Sequence, residues 1–167
     1  MDRLHREERH SLQGQRLNSH LTKAAWLWLI GAGLAAASRI VEPYEHAIWL
    51  VAYLLLVGFL AQLLLVRGQS ALAAPTDQLL RAQAVLWNFG VFAVPAGVLG
   101  NVRIPIAAGS LALVTALVLF WRSVRPAYRV GGAGRAAIGR GYAGLLIFML
   151  ASVIAGMLLA SDVPWAG

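Results

Sequence analysis

The strongest constraint on this chain is a series of long apolar runs almost free of charge. Ala47 to Val66 holds no charged residue and is closed by Arg67; Ala24 to about Val41, Leu79 to about Gly100, Ile104 to Trp121 and Tyr142 to Ala160 follow the same pattern. Backbone polar groups in hydrocarbon must be satisfied within the segment, and about 20 apolar residues wound as a helix achieve this while crossing a bilayer core about 30 Å thick. The expected fold is therefore all-α: a polytopic integral membrane protein with five transmembrane helices over about residues 24–41, 47–66, 79–100, 104–121 and 142–160. A polar tail over residues 1–23 precedes them.

Composition narrows the function classes. At 59% hydrophobic and 13% charged over 167 residues, the chain leaves no room for a separate soluble domain. The absence of cysteine excludes disulfides, thiolate metal sites, iron–sulfur clusters held by this chain and cysteine nucleophiles. A formal net charge of +7 would suit nucleic acid, but the basic residues stand at the ends of the apolar runs, where lipid headgroups lie. The expected partner is the bilayer of the cell membrane, with anionic lipids at its cytoplasmic face, and not nucleic acid.

The same charges give an orientation. With the N-terminus inside, the inner segments hold Arg3, Arg6, Arg9, Arg16 and Lys23 in the tail, then Arg67 and Arg81, then Arg122, Arg125, Arg129, Arg135 and Arg140. Only Arg39 and Arg103 of the fourteen basic residues fall outside. Such a bias satisfies the positive-inside rule and places the N-terminus in the cytoplasm and the C-terminus outside. A basic start and the small residues Ala35 to Ser38 also resemble a cleavable signal peptide, but the basic region is long for one, and a retained first helix is expected. Small residues at Gly31 and Ala35, and at Ser152 and Gly156, would let helices approach closely, so self-association or membership of a larger complex is expected.

Between the runs, Gly68, Ser70, Pro75 and Asp77 mark a turn over Arg67 to Gln78, with Thr76 or Asp77 able to cap the next helix. Pro105 suits the first turn of the fourth helix. Arg122 to Arg140 reads as a flexible basic loop rich in glycine; it lacks the lysine followed by Ser or Thr that a phosphate-binding loop requires. In the tail, His5 and His10 are five apart and would not share a helix face, so a solvated tail on the membrane surface is expected ahead of metal binding by His5, His10 and His20.

Polar groups inside a bilayer need partners, and they are where chemistry would be. His46, at the outer end of the second helix behind Glu42 and Glu45, could ligate haem iron or copper through a neutral imidazole, or sit at the interface hydrogen-bonded to Glu45 or Arg39. The third helix carries a candidate polar pocket of Gln83, Trp87, Asn88 and Pro95. Asn88 must bond to a facing helix or to a ligand, and Pro95 frees the carbonyl near Val91 and should kink the helix. Lone Gln62 is a further polar group on the second helix. No Gly-x-Ser-x-Gly, His-Glu-x-x-His or buried carboxylate pair is present, so no catalytic residues are assigned and an enzyme is not expected.

His46, then Gly58-Phe59, then Arg-Ala-Gln-x-x-x-Trp-Asn-x-Gly from Arg81 to Gly90 and a later Gly97, resembles subunit I of the haem–copper oxidases. The nearest likeness is to shortened relatives of that superfamily and to the haem- and copper-containing membrane protein of the nitric-oxide response. The resemblance covers about 80 residues and implies His46 as a ligand to one b-type haem. The superfamily's other ligands are histidines on later helices, and here those helices contain none, which excludes an independent oxygen-reducing centre. The implied function is a non-catalytic accessory or sensing protein of respiratory or nitric-oxide metabolism. The alternatives are a small transporter or channel running past Gln83, Asn88 and the Pro95 bend, or a structural subunit without a ligand.

Overall fold

A computed structural model describes residues 21–38, 47–72, 75–126 and 133–162, without the side chains of 133–136 and 155–162. The tail with His5, His10 and His20, and the link with Arg39, Glu42, Pro43, Glu45 and His46, lie outside the described residues. The helices are α1 (Leu21–Ser38), α2 (Ala47–Leu72), α3 (Asp77–Leu99), α4 (Arg103–Val124) and α5 (Ala133–Asp162). All five contain a stretch long and apolar enough to cross a membrane, and the chain is a multi-pass membrane protein.

Contacts along the helices show that α1 to α4 run alternately up and down. Leu21 meets Gln62, Trp28 lies on Gly58 and Gly31 approaches Leu54, which sets α1 antiparallel to α2. Gln69 pairs with Gln83 while Gly58 lies beside Val91, which sets α2 antiparallel to α3. In hydrocarbon no hydrophobic force draws helices together, so close van der Waals packing has to hold them. The α3–α4 hairpin achieves it through glycines. A Cβ at Gly90 would stand 2.6 Å from Leu113 Cγ and 2.8 Å from the Gly109 carbonyl oxygen, and one at Gly97 would stand 2.9 Å from both Ile106 N and Val102 O.

The link inside that hairpin is three residues long in effect and well satisfied. Val102 N–H donates to Gly97 O (2.9 Å) and Asn101 N–H to Val98 O (3.3 Å), with Asn101 at φ 52°. This is a Schellman end in which asparagine takes the left-handed position usually given to glycine.

The core includes Leu65, Trp87, Val91, Leu113, Ala116, Leu117, Phe120, Val124, Tyr142 and Leu146, with Ala32 of α1 joining it. Trp87 and Phe120 meet edge-on with ring centroids 6.2 Å apart. Ile104, Leu111, Ile147 and Phe148 point outwards, as lipid-facing side chains do. Lys23, Arg67, Arg81, Arg122, Arg125 and Arg140 gather at the end of the bundle where α1 begins, α2 finishes and α3 starts; Arg103 stands at the other.

Two boundaries differ markedly from the sequence expectation. The turn expected over Arg67 to Gln78 is helical as far as Leu72, because Gly68 packs on the Tyr142 ring and Gln69 is buried between helices. Among the described residues Pro75 and Thr76 stand outside helix, and Thr76 caps α3 by position alone, with no side-chain bond. The basic loop expected up to Arg140 is helical from Ala133, where Ala133, Ala136 and Ala137 favour helix and offset the glycines. The helix α3 continues through Pro95, which is buried. Inside α2, Leu54–Ala61 is wound as a π-helix, a wider form rarely longer than one turn and often found at functional positions.

Candidate functional site

The intramembrane polar side chains form a seam between helices. Gln83 is fully buried one and a half turns into α3, and its Oε1 accepts from Gln69 Nε2 at 3.0 Å. The same Gln69 nitrogen donates to Ser123 Oγ of α4 at 2.8 Å, and Ser123 donates in turn to Phe120 O at 2.7 Å. Three helices are tied by one amide. Residues i and i+4 share a helix face, so Trp87 stands one turn further in on the face of Gln83, 1% exposed.

A second tie lies deeper. Trp28 of α1 donates its indole N–H to Asn88 Oδ1 at 2.7 Å, and Asn88 Nδ2 donates back to Ala84 O at 2.8 Å. Trp28 reaches Asn88 by crossing the π-wound segment at Gly58, where a Cβ would stand 2.8 Å from Trp28 Cβ. Near the basic end Gln62 Nε2 donates to the Leu21 carbonyl at 2.9 Å.

Of the four residues expected in one pocket, Gln83 and Trp87 belong together, whereas Asn88 turns to a different neighbour, α1. Pro95 lies two turns beyond and is buried. Sequence reasoning missed Gln69, Ser123 and Trp28. Gln69 could have been found: it is seven residues after Gln62, so a helix continued past Arg67 puts both on one face.

No family model matches the chain, and neither does any curated protein or solved structure.

Chemically, the seam consists of neutral amides, an indole and a hydroxyl. These groups bind and orient, but none gains or loses charge near neutral pH. Among the described residues no group of three or more His, Cys, Asp or Glu side chains converges, and the described helices contain no histidine.

The Trp28–Asn88 bond yields a direct prediction. Hydrogen bonds between membrane helices average about 0.6 kcal/mol and reach about 1.7. In a double-mutant cycle of Trp28→Phe and Asn88→Leu, unfolding in mixed micelles should show a coupling of about 1 kcal/mol. Additive losses would mean that the two side chains do not pair.

Proposed function

We propose that this chain is a non-catalytic scaffold of the cell membrane, an accessory component of a respiratory or nitric-oxide-metabolising complex, with its N-terminus in the cytoplasm. The observation that carries the scaffold reading is the use made of the polar groups. Asn88, Gln83, Gln69 and Gln62, which a transport pathway would present to its cargo, are turned to other helices and bonded there. The orientation is supported by the basic side chains gathered at one end. The respiratory assignment rests on the resemblance to oxidase subunit I.

The haem that this resemblance implies does not fit the described interior. Gly58, which would open a slot beside α2, is covered by Trp28 of α1, and no described helix offers a histidine on the opposite side. His46, just before Ala47 at the start of α2, lies outside the described residues, so its role as haem ligand rests on the resemblance alone.

An absorption spectrum of the detergent-purified protein, oxidised and reduced with dithionite, tests this part. The oxidase-like reading expects a Soret band that shifts on reduction and disappears in His46→Ala. Colourless protein from haem-replete cells would remove both the haem and the resemblance, leaving a scaffold without a cofactor.

A further inference from the structure

The Gln69–Gln83–Ser123 junction leaves buried polar atoms unsatisfied. Gln69 Oε1, Gln83 Nε2 and Trp87 Nε1 find no hydrogen-bond partner among the described residues, although all three side chains are at most 1% exposed. A buried donor or acceptor left unpaired is costly, so three such atoms on neighbouring side chains point to a ligand. Two are donors and one is an acceptor. Gln69 Oε1 and Gln83 Nε2 belong to amides already joined at 3.0 Å, which keeps them close, and Trp87 Nε1 comes from the next turn on the same face.

We infer that this junction is a binding site for one internal water molecule. Its oxygen accepts from Gln83 Nε2 and Trp87 Nε1, and one of its hydrogens is donated to Gln69 Oε1. Three hydrogen bonds are what a buried water in a protein typically makes. A single carbonyl ligand would satisfy the two donors and leave Gln69 Oε1 unpaired, and a cation would meet the two donors with the wrong charge. A hydroxyl oxygen satisfies all three atoms, and water is the hydroxyl that fits behind side chains closed to the outside. The site lies at the basic end of the bundle, where α2, α3 and α4 meet, and the water extends their junction beyond the bonds that Gln69 makes alone.

Water-edited solid-state NMR on labelled protein in lipid bilayers tests the assignment. Magnetisation from water should reach the Trp87 indole N–H and the Gln83 side-chain amide several-fold faster than the equally buried Val91 and Leu117. The Trp87 signal is identified by its loss in Trp87→Phe. In Gln83→Met, which keeps the volume and removes one donor, transfer to the Trp87 indole should fall. Equally slow transfer to all four groups in the unsubstituted protein would overturn the site. Transfer from lipid or glycerol hydroxyls instead of water would overturn the identity of its occupant.

Discussion

Gly90→Leu is expected to separate α3 from α4 and to destabilise the bundle by about 3 kcal/mol. The Cβ alone would stand 2.8 Å from the Gly109 carbonyl oxygen, and backbone cannot rotate aside as a side chain can. The relief available is to move one helix away from the other. Such a shift loosens the contacts at Gly97 and Gly109, because all three lie along one hairpin closed by a short link. Gly144→Leu is the matched control: a Cβ there meets nothing within 4 Å and the position is exposed, so stability should stay within about 0.5 kcal/mol. Unfolding of the two variants in mixed micelles, compared with the unsubstituted chain, checks both expectations. Equal tolerance at the two positions would show that glycine does not hold α3 against α4.

Trp87→Ala should cost about 2–3 kcal/mol, nearly all of it from the cavity left against Phe120 and the core. In a bilayer the helices separate into lipid and not water, so the transfer part of the loss measured in soluble proteins largely disappears and the packing part remains. Trp87→Phe keeps most of the volume and the edge-on contact with Phe120, centred 6.2 Å away, and should cost about 1 kcal/mol. Chemical unfolding of the two variants measures the difference. If the smaller change cost as much as the larger, the indole N–H would outweigh the packing.

The number of helices and most of their bounds were legible in the chain, because charge and hydrophobicity change together at the ends of spans. Arg67 misled where polarity and helix end came apart. Arg67, Gly68, Gln69 and Ser70 read as a turn, yet the packing of Gly68 on Tyr142 and the bond of Gln69 to Gln83 continue α2 to Leu72. The glycines before Tyr142 misled in the same way: local propensity argues for a loop, while the alanines between them and the docking of Tyr142 favour helix. Within the candidate site, Gln83, Trp87 and Asn88 were legible as polar groups in hydrocarbon. Their partners were not, because Trp28 is separated from Asn88 by 60 residues, and Ser123 from Gln69 by 54. The π-wound stretch Leu54–Ala61 has no signature in composition beyond Gly58, which also serves as the seat of Trp28.

The central claim is that the intramembrane polar groups are committed to helix pairing and do not line a pathway. Because the chain contains no cysteine, single substitutions report on one position each. Asn88→Cys and Gln83→Cys should resist a water-soluble maleimide in native membranes and react only after denaturation, while Ser70→Cys, at an exposed position near the end of α2, should label readily. Rapid labelling at positions 83 and 88 from the aqueous phase would contradict the scaffold and establish an open polar route through the bundle.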